Sequence, residues 1–154
     1  MSPRVVVVQN WPPPDTVTPA VVYAGSSALM VVYGTAEEKA AVVTFPNWVD
    51  VKVGSPNDEA LNGHPLYRYG LRPYLIHRIE NSPWLDELER QNSVHPSHSS
   101  VRFRESKVHY LFALKEETIE CLVRESVTSS TKIDVFESHR RALQHLKGCI
   151  DSSS

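Results

Sequence analysis

The sequence predicts an α+β fold in which a curved antiparallel β-sheet carries two packed helices. Three features support this prediction. Short apolar runs fill the first third of the chain, a hairpin pattern occupies residues 108–127, and two amphipathic segments carry helix-capping residues. The pattern leaves open whether the sheet only curves or closes into a small, barrel-like form. We expect residues 1–150 to form one domain, followed by a frayed tail at residues 151–154.

The first third of the chain has the pattern of an antiparallel meander. Gly25 lies in a turn between two predicted strands, because glycine accepts a positive φ. Pro46 ends or interrupts a strand, because it lacks the backbone N–H that a sheet requires. The predicted strands are residues 5–9, 20–24, 28–33, 41–45 and 48–53.

The middle of the chain is less regular. Residues 54–72 are rich in glycine, proline and asparagine, which favour turns, with one helical turn expected at residues 58–61. Residues 74–79 have the composition of a strand. A loop is predicted at residues 93–100.

Two helices are indicated by their capping residues. Ser82 followed by Pro83 is typical of a helix start, and this helix is expected to end near residue 92. The second helix is predicted to begin at Asp134, with Glu137 at the spacing of a capping box, and to stop at Gly148.

Composition and charge narrow the range of partners. Apolar residues form 41% of the chain and the net charge is −2, so no basic surplus favours nucleic acid or an anionic membrane. The apolar run at residues 5–8 is too short for a signal peptide or a membrane helix. Cys121 and Cys149 lack the spacing of a disulfide framework, and we expect reduced thiols in a cytoplasmic protein.

The hairpin pattern at residues 108–127 is the most informative part of the sequence. If Glu116 and Glu117 form the tight turn, strand alternation sorts the side chains onto two faces. One face is strongly apolar and consists of Tyr110, Phe112, Leu114, Ile119, Cys121 and Val123. The other places His109 beside Arg124, Leu111 beside Leu122, and Ala113 beside Glu120.

Glu120 and His109 are the candidate catalytic residues if a helix or loop covers this second face. Burial would then raise the pKa of the Glu120 carboxyl toward neutrality, as a general acid or base requires. His109 would carry or orient a second proton, and Arg124 would bind an anionic substrate group. The alternative is a half-solvated face on which Glu120 and Arg124 form a surface pair worth under about 1 kcal/mol.

The loop at residues 57–72 is the candidate substrate-binding segment. Tyrosine offers a flat ring with a hydroxyl group, and arginine can bind a carboxylate or phosphate through two hydrogen bonds. The alternative is an ordered connecting loop with solvated side chains. The candidate substrate-binding residues are His64, Tyr67, Arg68, Tyr69 and Arg72.

Metal and cofactor chemistry have little support in the sequence. His95 and His98 are three residues apart, and zinc would need a third ligand from His64, His77 or His109. Their proline- and serine-rich surroundings indicate an irregular loop, so we predict no metal site. The chain has no phosphate-binding glycine loop and no nucleophile elbow, and we expect no cofactor.

Four segments together resemble a group of small bacterial proteins. They are NDEALNGHPLY at residues 57–67, NSPW at 81–84, NSVHP at 92–96 and HYLFALKEETIECL at 109–122. The resemblance covers about the second half of the chain. It implies that the four segments converge in space, and it implies no particular activity.

Two functional hypotheses follow. The first is a small cofactor-independent acid/base enzyme for a small polar or anionic metabolite, with condensation or cyclisation in bacterial secondary metabolism as one fitting reaction, and hydrolysis or isomerisation as others. The alternative is a non-catalytic ligand-binding or protein-interaction domain, including a homodimer formed through a sheet edge. An enzyme predicts a concave pocket that holds Glu120 and His109, whereas an interaction domain predicts a flat apolar patch and a solvated Glu120.

Overall fold

The computed structural model describes residues 1–126 and 130–152, which form nine strands, three α-helices and two 3-10 helices. The strands are β1 (Arg4–Val7), β2 (Val21–Ala24), β3 (Leu29–Gly34), β4 (Ala40–Phe45), β5 (Trp48–Gly54), β6 (Leu75–Glu80), β7 (Lys107–Ala113), β8 (Thr118–Arg124) and β9 (Lys132–Phe136). The α-helices are α1 (Pro83–Asn92), α2 (Ser100–Arg104) and α3 (His139–Ser152). The 3-10 helices span Asp58–Gly63 and Tyr67–Tyr69.

The strands form two antiparallel sheets. One has five strands in the order β1-β6-β7-β8-β5, and the other has four in the order β2-β3-β4-β9. Within the described residues, both sheets are open and neither closes on itself. The predicted α+β class with antiparallel strands is confirmed, but the strands divide between two sheets where one had been expected.

The central core lies between the two sheets. Each sheet turns one apolar face toward the other, and Trp11 adds an aromatic ring that stacks on Tyr110 with centroids 4.8 Å apart. The buried members from the two sheets include Val31, Tyr33, Val43, Phe45, Ile76, Phe112, Ile119 and Cys121. Burial of this many large apolar side chains is the main stabilising term of the fold.

The outer faces of both sheets are covered as well. On the four-stranded sheet, Ala142 and Leu146 of α3 pack against Met30, Val32 and Val42. Helix α3 therefore buries one stripe of its surface against this sheet.

Two elements share the outer face of the five-stranded sheet. The segment at residues 57–72 packs its leucines on Leu111 and Ala113 of β7, while Trp84 and Leu85 of α1 pack on Leu122 of β8. The covering leucines of that segment are Leu61, Leu66 and Leu71. The polar side chains that lie between these two covering elements form the candidate site.

The hairpin faces agree with the sequence prediction, but the turn does not. The predicted apolar face lies in the central core. The turn, however, centres on Lys115 and Glu116 and not on Glu116 and Glu117, because the backbone of Leu114 donates to the carbonyl of Glu117. Glu117 is partly buried, and its side chain accepts a hydrogen bond from the backbone of Ala20 (3.3 Å).

Moving the turn by one residue moves the strand pairing by two. The faces are preserved because side chains alternate with period two, but the partners change. Glu120 pairs with Leu111 and not with Ala113, and His109 pairs with Leu122 and not with Arg124.

The start and end of the last helix were predicted wrongly. Asp134 lies within β9, opposite Val42, so it does not cap a helix. The short run at residues 132–136 adds an edge strand to β4, and Ser138 accepts a hydrogen bond from the backbone of Arg141 (3.2 Å) at the helix start. Gly148 lies inside α3, which continues through Ser152 into the predicted tail. The loop predicted at residues 93–100 is followed by α2, a helix that the sequence analysis missed.

We predict that the core between the sheets dominates stability. Val43→Ala should lower the free energy of unfolding by about 2 kcal/mol, because it removes buried methyl groups from a side chain with 0% exposure. The same substitution at Val101, which is 78% exposed, should change stability by less than about 0.5 kcal/mol. Urea unfolding measures both; equal effects of the two variants would contradict the prediction.

Candidate functional site

The centre of the candidate site is the Glu120 carboxylate, which lies between two histidines. His109 Nε2 is 2.8 Å from Glu120 Oε1, and His64 Nε2 is 3.1 Å from Glu120 Oε2. Only 13% of the Glu120 side chain and 1% of the His109 side chain are exposed. The two predicted catalytic residues are therefore in direct contact, and the histidine predicted to bind substrate joins them.

Strand register brings Glu120 and His109 together. Glu120 on β8 is paired with Leu111 of β7, and His109 lies two residues from Leu111 on the same face of the sheet. Side chains at such diagonal positions are within reach of long side chains. The hairpin alone therefore positions this half of the site.

His64 comes from the covering segment at residues 57–72. It follows the 3-10 helix Asp58–Gly63, and its backbone N–H donates to the carbonyl of Leu61. Burial of Leu61 and Leu66 in one cluster with residues of β7 fixes this segment over β7, the neighbour of β8 in the sheet. The imidazole of His64 thereby reaches the second carboxylate oxygen.

The tautomer of His64 follows from its neighbours. Its Nδ1 accepts the backbone N–H of Leu66 (3.0 Å). A neutral imidazole carries one N–H, so the hydrogen must be on Nε2, which faces Glu120. His64 thus donates its only N–H to the carboxylate.

The tautomer of His109 follows from its contact with the Glu120 carboxylate, and a helix cap supplies its second partner. Ser82 is the N-cap of α1, and its Oγ accepts the backbone N–H of Leu85 (3.1 Å). Ser82 Oγ also lies 2.7 Å from His109 Nδ1, a contact in which a hydroxyl group can donate or accept. An ionised carboxylate only accepts, so the ring hydrogen of a neutral His109 is on Nε2, facing Glu120, and Ser82 then donates to Nδ1.

The histidines determine the ionisation state of Glu120. Burial by itself would raise the pKa of this carboxyl, but the hydrogen bonds from His109 and His64 outweigh burial and lower the pKa to about 2. The sequence left open whether Glu120 is covered, and for the covered case it predicted a raised pKa. That direction is wrong, because two histidines donate to the carboxylate and one of them lies far away in sequence. Glu120 is therefore an ionised acceptor at neutral pH.

A cavity of about 390 Å³ opens above this carboxylate. Its walls come from the covering segment at residues 57–72, from α1 and from β5, β7 and β8. The lining residues are Lys52, His64, Pro65, Leu66, Pro83, Trp84, Glu87, His109 and Glu120. A concave site with an apolar wall and a few polar groups is the usual form of a small-molecule pocket.

Trp84 and Lys52 shape the cavity wall. The Trp84 ring meets His109 edge-on with centroids 5.1 Å apart, and the ammonium group of Lys52 lies 4.4 Å from the centre of the Trp84 ring. Such an arrangement is a cation–π contact. Neither residue was among the site residues predicted from the sequence, although strand pairing places Lys52 directly opposite Glu120.

Ser82, His109 and Glu120 have the order of a nucleophile triad but not its geometry. Ser82 is buried, and its Oγ is occupied by the Leu85 N–H and by His109. It is not among the residues that line the cavity. Its role is to cap α1 and to orient His109.

Four of the predicted substrate-binding residues lie away from the cavity walls. Arg68 stacks over Tyr69 at 4.7 Å and donates to its hydroxyl group (2.8 Å). Arg72 donates to the carbonyl of Leu71 (2.7 Å) and lies 5.7 Å from the ring of Tyr67. These arginines therefore have partners in their own loop and are not assembled as an anion clamp beside Glu120.

Arg124 is also separate from Glu120. It lies at the end of β8, opposite Lys107, and lines a second cleft together with His95 and His98. The predicted pairing of Arg124 with His109 is wrong, because the register pairs His109 with Leu122 and Arg124 with Lys107.

The histidines do not present a metal site. Within residues 1–126 and 130–152, no group of three or more histidine, cysteine, aspartate or glutamate side chains is arranged to hold a metal ion. A metal at His64 Nε2 would also require a hydrogen on Nδ1, which faces the Leu66 N–H. His77 is buried, and burial lowers its pKa to about 4.

Three of the four segments that carry the sequence resemblance meet at the cavity. His64, Trp84 and the pair His109 and Glu120 come from the first, second and fourth segments, whereas His95 of the third segment lines the other cleft. Comparisons with protein-family models, with curated proteins and with solved structures found no match to this chain. In the described part of the chain, no helix has the length and apolar character needed to cross a membrane.

We predict that Glu120→Gln destabilises the protein at neutral pH. Both histidines are fixed as donors, and glutamine offers only one acceptor oxygen to two N–H groups. The fall in pKa from 4.5 to about 2 corresponds to a loss of about 3 kcal/mol in the free energy of unfolding.

The pH dependence has a defined sign. Because the folded-state pKa of Glu120 is depressed, its contribution is complete above about pH 4.5 and is lost as the pH falls toward 2. Chemical unfolding at several pH values should show the wild type and Glu120→Gln converging below pH 4.5. Glu116→Gln, a substitution at an exposed position in the same hairpin, is the control. Its free energy of unfolding should stay near that of the wild type at every pH.

The tautomers are a separate prediction. Nitrogen-15 NMR of the neutral rings should show the hydrogen on Nε2 in His64 and His109. His77 should show it on Nδ1, since its Nδ1 faces the Leu111 carbonyl and its Nε2 accepts the Arg72 N–H. A hydrogen on Nδ1 of His64 would contradict the prediction, because Nδ1 could then not accept the Leu66 N–H.

Proposed function

We propose that the cavity above Glu120 binds a small molecule that has an apolar or aromatic body and a hydrogen-bond-donating head group, with a protonated amine as the best head. The observation that carries the proposal is a shielded, ionised carboxylate on the wall of a cavity. Its two protein partners are imidazole N–H groups. Small-molecule binding is thus the function that this geometry supports best.

Electrostatics favour a cationic head group. Glu120 keeps a full negative charge in a site where only 13% of its side chain is exposed, and the attraction between charges is stronger there than in water. Among the described residues, its ion-pair partners are only the two histidines, because Lys52 lies over Trp84. An ammonium group of the ligand would complete the neutralisation of the carboxylate.

The remaining wall suits an apolar body. Trp84, Pro65 and Leu66 supply an aromatic ring and aliphatic surface around the polar centre. A flat ring in the ligand would pack against these groups, with Trp84 also available for a cation–π contact.

Acid/base catalysis by Glu120 and His109 stays a prediction. A carboxylate with a pKa of about 2 is a weak base and is not a proton donor at neutral pH. Both ring nitrogens of His64 and of His109 already have hydrogen-bond partners. These contacts favour binding over proton transfer as the function of the site.

Three ligands of one shape test the proposal. Benzylamine, benzyl alcohol and benzoate share a ring and differ in head group, so NMR titration of the Trp84 indole and the His64 ring reports which head the cavity accepts. We expect affinity to fall in the order amine, alcohol, carboxylate. Benzoate is included because an anion would bind best if Lys52, and not Glu120, determined the charge preference of the cavity.

The variants connect the preference to Glu120. Glu120→Gln should abolish the preference for benzylamine over benzyl alcohol, whereas Glu116→Gln should retain it. Binding of benzoate in preference to benzylamine, or an unchanged amine preference in Glu120→Gln, would contradict the proposed function.

A further inference from the structure

A second cleft lies at the other end of α1. Its volume is about 270 Å³. Asn92, the last residue of α1, lines this cleft, whereas Pro83, the first residue of α1, lines the cavity above Glu120. At a rise of about 1.5 Å per residue the two ends are roughly 14 Å apart. Basic side chains of β7, β8, α2 and the loop before α2 line this cleft: His95, His98, Arg102, Lys107 and Arg124.

The central feature of this cleft is a pair of like charges on neighbouring strands. Lys107 of β7 and Arg124 of β8 are directly opposite each other in the hairpin. Like charges at paired positions destabilise a sheet. Burial of Lys107, followed by the nearby charge of Arg124, lowers the pKa of the Lys107 ammonium. An anion between the two would remove this repulsion.

The Glu89 carboxylate reaches this cleft, 4.0 Å from His98 Nε2, but it is already engaged by other groups. Glu89 accepts hydrogen bonds from Ser100 (2.7 Å) and from Arg104 Nε (2.6 Å), and Arg104 also pairs with Asp86. Among the described residues, no ion pair involves Lys107, Arg124 or Arg102. The Lys107 ammonium donates to the carbonyl of Phe103 and lies 4.0 Å from the centre of the Phe103 ring, but neither contact neutralises its charge. Because Glu89 is already paired with Arg104, the charges of Lys107, Arg124 and Arg102 leave the cleft with a surplus of positive charge.

A neutral donor adds to the cationic groups. His95 Nδ1 accepts the backbone N–H of Ser97 (3.0 Å), which places the ring hydrogen of a neutral imidazole on Nε2. The lining thus combines an ammonium, two guanidinium groups and a ring N–H. Arginine in particular matches the geometry of phosphate oxygens.

We propose that this second cleft binds a phosphate group, either as free phosphate or as a phosphate monoester on a small molecule, through Lys107 and Arg124. A dianion is favoured over a single carboxylate because two adjacent cations must be neutralised. The site is separate from the Glu120 cavity, which presents a negative charge.

Thermal unfolding with inorganic phosphate and with phenyl phosphate tests the proposal, at an ionic strength held constant with sodium chloride. Both ligands should raise the Tm of the wild type. Arg124→Gln should weaken their binding at least tenfold, and in the absence of phosphate it should be no less stable than the wild type, because the repulsion from Lys107 is relieved. Stabilisation by phenyl phosphate alone would identify the monoester as the form bound, and equal stabilisation would identify the phosphate group itself.

Arg141→Gln is the matched control. Arg141 lies with Arg140 near the start of α3, where a helix terminus could attract phosphate independently. The control variant removes the same charge and should keep the full response. A full response in Arg124→Gln, or a wild-type Tm that neither ligand raises, would overturn the proposal.

Discussion

The hydrogen bonds that join His64 and His109 to the Glu120 carboxylate are the interaction on which the candidate site depends. They hold a charged group in a place where burial alone would favour its neutral form. They also link three parts of the chain that are distant in sequence: the covering loop, the hairpin and the start of α1. A change in any of these parts would reach the same carboxylate.

The donors form a directed chain toward Glu120. On one side, the Leu85 N–H donates to Ser82, Ser82 donates to His109, and His109 donates to the carboxylate. On the other side, the Leu66 N–H fixes the tautomer of His64. Because every hydrogen in the network points the same way, the helix cap and the loop conformation both contribute to keeping Glu120 ionised.

Much of the framework could be predicted from the sequence, because strand alternation and helix caps are local signals. Alternation alone identified the core face of the hairpin and placed Glu120 and His109 together on the opposite face, and Ser82 with Pro83 marked the start of α1. The pairing register of the two hairpin strands was predicted less accurately. Turn position is decided by weak preferences among adjacent charged residues, and a shift of one residue in the turn left the faces unchanged while replacing every partner.

The chemistry of the site depends on contacts that no local pattern contains. His64 is 56 residues from Glu120 in sequence, and its hydrogen bond adds to that of His109 in lowering the pKa of the Glu120 carboxyl. The arginines of the covering loop looked equally suited to the site, but they are engaged with tyrosines and a carbonyl in their own segment. The edge strand β9 was missed for a similar reason, because its stability comes from pairing with β4.

The most direct test of this account is the titration of the Glu120 side-chain carboxyl carbon, followed by carbon-13 NMR in the folded protein. The account predicts that its chemical shift stays constant from pH 7 to pH 4, with a midpoint near 2. A midpoint at or above 4.5 would show that the histidines do not hold the carboxylate in its ionised form, and the binding function proposed for the cavity would lose its physical basis.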